Sequence, residues 1–353
     1  MTGIVVLLVC WTLSHNLTMS DCPVYLARDH TQRAEDYLRD IQGGVTGKIL
    51  HLTLDSWIEA PTKQKYLEAY DSYDGFRQRG LDALTKLHAI ADNPENKIRV
   101  IRKFSDLEMA RSAGQLAVIA GNEGGKILGS HTGLIDAWFS MGLRHVQFNW
   151  AMPNLLGASQ TQEDDPHQPG LTQFGREAIE IMNARGMIVD VSHSAPQTIL
   201  DALETTSKPI LNSHSGGRSI ADKQQNLWDG QIRDMAENGG VIGIHFCSRL
   251  VLGQNGVQAE ISDVVRQIRY VYEVGGIDVV GLGPDWVLGD PARDVPYLHN
   301  TDQEDLTWAN GLEDAGELPN LWDPLSESGF TSAEIEKIAG GNMLRLFRDV
   351  LPG

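Results

Sequence analysis

Apolar and polar positions along the chain fall into two alternating kinds of stretch. Short apolar or strictly alternating runs read as strands at residues 4–13 (IVVLLVCWTL), 47–55 (GKILHLTLD), 116–120, 145–150, 187–192, 209–213, 241–246 (VIGIHF) and 279–286 (VVGLGPDW). Between them, apolar residues recur with helical spacing at 29–42, 62–91, 105–113, 134–141, 174–184, 228–237 and 261–274, several of these stretches closing on glycine. Residues 151–170 are rich in Pro, Gln and Asp and follow no period, which predicts a long loop. The chain closes with a helix over 331–347, opened by a Thr331-x-x-Glu334 capping box. Eight strands alternating with helices, without a composition break, predict an α/β fold: one (β/α)8 TIM-type barrel over residues 1–353, with extra loops and a C-terminal helix. A doubly wound open sheet is the alternative. No G-x-G-x-x-G follows the first strand and no Walker A motif occurs, so its nucleotide-binding forms are disfavoured.

The segment 187–213 carries the first chemical signal. One strand runs into His193 and the next into His214, and between them Ser194 is a plausible N-cap, Pro196 sits in the first turn, and Ile199, Leu200 and Leu203 share one face. A strand–helix–strand crossover makes the strands parallel, so both imidazoles reach the carboxyl end of the sheet, where α/β folds place their chemistry. A single strand-end histidine is usually a hydrogen-bonded structural residue. Two at equivalent positions of consecutive units read as a metal-ligand pair. Collecting the other strand ends adds His15, Glu123, Trp150, His245 or Cys247, and Asp285. Several imidazoles with carboxylates in one mouth are what a zinc-type site requires: neutral nitrogen donors, an anionic oxygen and room for water. Alone, Glu123 in its Gly-rich run would read as a polar turn residue, and Asp285 as an N-cap or salt-bridge partner.

Composition narrows the partners. The chain of 353 residues is 41% hydrophobic and 22% charged, ordinary for a globular protein, and its net charge of −18 repels nucleic acid and anionic membrane surfaces. Cys10, Cys22 and Cys247 match no zinc-finger or disulfide spacing, so a cytoplasmic, reducing compartment is the simpler expectation. The alternative is secretion, if 4–13 is a signal-peptide core. That segment lacks preceding basic residues and an A-x-A-like cleavage site and is too short to span a bilayer, so no membrane anchor is expected.

The motifs DVSHSAPQTILDAL, KPILNSHSGGRSI, NLWDGQIRDMAENGGVIGI, GNEGG, GLGPDW and GLEDAGELPNLWDPL…IEKIAGGNMLRLFRDV together resemble the membrane (renal) dipeptidase family of zinc peptidases, in the family's order and from about residue 110 onward. The resemblance implies an amidohydrolase-type barrel, usually a homodimer, that hydrolyses dipeptides, some with a D- or dehydro-residue at the second position; some members open β-lactams. It makes Glu123 the carboxylate bridging two zinc ions, His193 and His214 ligands of the second zinc, and Asp285 the proton-handling aspartate that also holds the substrate amino group. For the first zinc it points to His15, but Leu17 stands where the family's His-x-Asp pair has its Asp, so one zinc is expected rather than two. On the substrate side, Trp150 stands where animal members have a His. Gln225 replaces the basic residue before Asn226, with Arg218 as the candidate to take over the substrate carboxylate. His245 and Cys247 replace an Asn and a Tyr. The expected function is a metal-dependent hydrolase acting on a dipeptide or similar small amide. The alternatives are a degenerate binding or scaffold protein, or a pathway enzyme recruited to a non-dipeptide substrate.

Overall fold

A computed structural model describes residues 22–30, 34–55, 73–150, 152–165, 170–254, 256–286 and 307–353. Its strands are β1 (Val24–Asp29), β2 (Val45–Leu54), β3 (Ile98–Val100), β4 (Leu116–Glu123), β5 (His145–Gln147), β6 (Ile188–Asp190), β7 (Leu211–Ser215), β8 (Val241–Ile244) and β9 (Val280–Leu282). All neighbours pair in parallel, in the order β2-β1-β9-β8-β7-β6-β5-β4, and β2 pairs back onto β4, so eight strands close a barrel. β3 lies outside that ring. It pairs with β4 at Leu116–Val118, below the point where Gly121 and Asn122 take up β5 along the same edge. The (β/α)8 expectation is therefore met, and β3 is an addition to it.

The first barrel strand is not the one expected. Residues 4–13, with His15 and Leu17 behind them, lie outside the described residues, and the barrel's first position is held by VYLARD at 24–29. The reason is local. β1 is fully buried, yet ends in Arg-Asp, and its pairing with β2 shifts register between Leu26 and Asp29. Such an irregularity turns the strand's side chains, so that Arg28 reaches the barrel mouth while Asp29 meets Lys48 of β2.

Side-chain alternation divides the core in two. Outward residues such as Leu26, Leu50, Val118, Val189 and Ile242 pack under the surrounding helices. Inward residues near the strand starts, among them Tyr25, Ile49, Ala117, Ile188, Leu211 and Val241, form a separate cluster with Met343, Leu346 and Phe347 of the C-terminal helix Asn342–Val350. That helix closes the amino end of the barrel, leaving the carboxyl end for polar groups. The capping box at Thr331 and Glu334 forms as expected, but the stretch 331–347 is not one continuous helix: a π turn at Lys337–Gly341 interrupts it. A Cβ on Gly340 would lie 2.4 Å from the Pro23 carbonyl oxygen, so glycine permits the contact with β1. Among the described residues no helix is long and apolar enough to cross a membrane.

Candidate active site

β4, β6 and β7 each deliver one group to the carboxyl end of the barrel. Glu123 is the last residue of β4 and fully buried. His193 follows β6 with φ 61, in the left-handed region a non-glycine residue rarely occupies, and His214 lies within β7. His193 Nε2 lies 2.9 Å from His214 Nε2 and 3.4 Å from Glu123 Oε1. One ligand atom from each of the three lies within 4.8 Å of the others. Burial, followed by Arg28 and His193, pushes the His214 imidazole well below its usual range, so it is neutral. Its Nδ1 is 2.9 Å from the Ser213 hydroxyl. A proton on Nδ1 donated to that oxygen leaves the Nε2 lone pair facing the cluster, the tautomer a metal ligand needs. Two imidazole nitrogens and a carboxylate oxygen fit a divalent ion.

Ser194, expected to cap the following helix, does not. The helix Pro196–Thr205 has Ala195 at its N-cap, and the Ser194 hydroxyl donates to Asn149 Oδ1 instead (2.9 Å). Pro196 fills the first turn as expected.

Asp285 also has a positive φ, 58, just beyond β9. Its Oδ1 lies 2.6 Å from Arg28 Nε as an ion pair, and its Oδ2 accepts from His245 Nε2 at 2.9 Å. His245 Nδ1 accepts the Cys247 backbone N–H at 2.8 Å, which fixes the ring hydrogen on Nε2, pointing at Asp285. His245 therefore orients Asp285. Burial raises the Asp285 carboxyl, but Arg28 and His245 outweigh it and hold it below the usual carboxylate range.

Arg28 is the residue that the sequence reading missed. Its buried guanidinium donates to Glu123 Oε2 (2.5 Å), forms an ion pair with Asp285 Oδ1, lies 2.7 Å from His30 Nε2, and meets His214 Nε2 through Nη1. Burial alone would raise Glu123; Arg28, then His193, His30 and His51, hold that carboxyl well below its usual value. Beneath this layer, His51 stacks on His145 at 4.8 Å, and His145 Nε2 bonds Asp190 Oδ2 at 3.0 Å. Burial pushes His51 down to about 3. The inward parity of position 51 in GKILHLTLD was the signal available for it.

The substrate-side residues separate. Arg218 lines an opening beside His193, together with Asn212, Gln224, Gln225 and Gln231. Its fork is bidentate on Glu163 (2.6 and 2.8 Å), its Nε bonds Asp222, and its plane covers the Trp228 ring at 4.4 Å. The Asn226 amide donates to the Ala221 and Leu250 carbonyls and so ties its loop to the helix Ser248–Leu252. Gln225 donates to the His214 carbonyl at 3.2 Å. Trp150 is half-buried, three residues after β5.

A family model for membrane dipeptidase, peptidase family M19, matches residues 28–351, beginning at Arg28 itself. The chain belongs to the membrane dipeptidase family. Dipeptidase tcpJ of Claviceps purpurea is 29% identical over 264 residues, covering 75% of this chain and 58% of that protein. Dipeptidase 3 of Mus musculus is 26% identical over 261 residues, 71% of this chain and 49% of its own length. The chain thus spans about half the length of the curated relatives it matches. An amidohydrolase structure from Pseudomonas aeruginosa superposes with a TM-score of 0.80 at 22% identity, covering 94% of this chain and 97% of that one, which shows a shared fold. Within this metallopeptidase family, the clustered ligand groups at the mouth are the candidate metal site.

Proposed function

We propose that this membrane dipeptidase-family chain hydrolyses a dipeptide or similar small amide using one divalent ion, zinc by the donor types, held by Glu123, His193 and His214. The observation that carries the reading is the convergence of those three ligand atoms within 4.8 Å at the carboxyl ends of β4, β6 and β7. When bound, such an ion acts as a Lewis acid and lowers the pKa of water towards about 7. The chain's own residues supply the rest. Asp285, ionised and oriented by His245 and Arg28, accepts the proton that water loses on attacking the amide carbonyl. The same carboxyl returns that proton to the nitrogen as the carbon–nitrogen bond breaks, so no net proton is consumed at the residue. Arg218, on the rim beside His193, is the group we assign to the substrate carboxylate, in competition with Glu163. Trp150 is assigned to the substrate wall. The homodimer and the cytoplasmic compartment are retained as parts of this reading, supported by the family resemblance and the cysteine pattern respectively.

Hydrolysis of a panel of L-L and L-D dipeptides, with zinc added to purified protein, tests the proposal. Turnover that falls about 10²–10⁴-fold in Asp285→Asn, with metal content unchanged, is the expected result. Full activity in that variant would remove Asp285 from the chemistry. One observation favours a second reading, a non-hydrolytic binding protein: a permanent cation, Arg28, sits at the centre of the ligand set. The same panel separates the two.

A further inference from the structure

The geometry points to the Arg28 guanidinium as a built-in cation that holds the place of a second metal ion, so that the centre takes one divalent ion, at Glu123, His193 and His214. The inference rests on the reading of those three residues as ligands. Two further groups stand next to the bridging position of Glu123: His30 Nε2, 3.1 Å from Glu123 Oε2, and Asp285 Oδ1, 3.5 Å from His30 Nε2. His30, His51 and Glu123 each offer a ligand atom within 4.8 Å of the others, a second donor set of two imidazoles and a carboxylate, with Asp285 beside His30. Arg28 lies against two members of that set, Glu123 and His30, and against Asp285. Its Nη2 is 2.5 Å from Glu123 Oε2 and 2.7 Å from His30 Nε2, and its Nε is 2.6 Å from Asp285 Oδ1.

A guanidinium has donors only and stays protonated, so it cannot be a ligand. What it can do is neutralise anions and occupy their lone pairs. Here one planar cation lies against one oxygen of each carboxylate and the His30 nitrogen, and so covers two of the three groups a second ion would need. The formal charge of Glu123, Asp285 and Arg28 is −1, which one divalent ion reverses to +1; a second would bring +3 into a site whose side chains are 0–13% exposed. Arg28 Nη1 also meets His214 Nε2, so an ion held by His214 would displace this one contact and leave Arg28 its other three partners. His51, the third member of that set, stacks on His145 at 4.8 Å.

Metal stoichiometry of the full chain, titrated with zinc and read by elemental analysis after desalting, tests this. The expected result is one equivalent in the wild type at excess zinc and two in Arg28→His, which returns a nitrogen ligand and removes the charge. Arg28→Lys, which keeps a cation, should stay at one. Two equivalents in the wild type, or one in a folded Arg28→His, would overturn the proposal; so would zero in the wild type rising to one in Arg28→Ala, since Arg28 would then block the whole centre. His193→Ala keeps the two readings apart. Loss of the wild-type equivalent there upholds the ligand assignment whatever Arg28 does, and its retention sinks that assignment.

Discussion

Replacing Lys48 by methionine should destabilise the protein by about 3 kcal/mol at neutral pH, and the structure indicates why the figure is not larger or smaller. Lys48 projects outward from β2 into a closed space, its Nζ 2.5 Å from Asp29 Oδ2 and 2.6 Å from Asp40 Oδ2 of the helix Ala34–Gln42, with the three side chains 0%, 0% and 1% exposed. Methionine is close in length and apolar, so little packing is lost. The cost comes from leaving buried carboxylates without their cation, which runs to about 3–5 kcal/mol when one partner of a buried pair is removed. Part of that is relieved because Asp40 is already raised to about 7, by burial first and by Asp29 alongside, against the pull of Lys48. With the lysine gone, one carboxyl takes a proton and donates to the other, which places the loss at the lower end. Urea unfolding followed by circular dichroism at pH 7 and pH 5 measures it, and the loss should shrink at pH 5. The triple variant Lys48→Met, Asp29→Asn, Asp40→Asn should recover most of the stability. A loss below about 1 kcal/mol at pH 7, or a triple variant no more stable than the single one, would refute the reasoning. Because Asp29 lies between Arg28 and His30, the single variant should also weaken metal binding.

Asp40 gives a pH signature of its own. Its folded pKa is raised to about 7, so its protonated form favours the folded state: that contribution is fully present below the unfolded value of about 4 and is lost as pH rises through 7. The stability of Asp40→Asn relative to wild type should therefore climb between pH 4 and 7, by up to about 1.4 kcal/mol per pH unit, and a flat difference would contradict it. Freeing Arg218 by Glu163→Gln should lower KM several-fold for dipeptides with a free carboxylate and leave kcat nearly unchanged; an unaltered KM would take Arg218 out of substrate binding.

Seven of the eight barrel strands were legible because parallel barrel strands are buried on both faces and read as short apolar runs closed by turn residues. The eighth was misread because IVVLLVCWTL is the more apolar run, whereas β1 carries Arg28 and Asp29 in a fully buried strand. Only partners brought from far along the chain, namely Glu123, Asp285 and Lys48, make such charges tolerable there, and local pattern does not contain them. The same cause hid His30. Glu123, His193, His214 and Asp285 were legible since each directly follows or ends an apolar run. His245 was picked out, but its bond to Asp285 depends on a ring orientation set by the Cys247 amide, which spacing cannot reveal. Ser194 failed as a cap because a tertiary acceptor, Asn149, competes for its hydroxyl.

The central claim, a hydrolase built on one metal ion at Glu123, His193 and His214, is tested most directly by measuring zinc content and dipeptide turnover together in wild type and His193→Ala. The account predicts one equivalent and measurable turnover in the wild type, and loss of both in a variant that remains folded. Retention of both the metal and the activity by His193→Ala would contradict it.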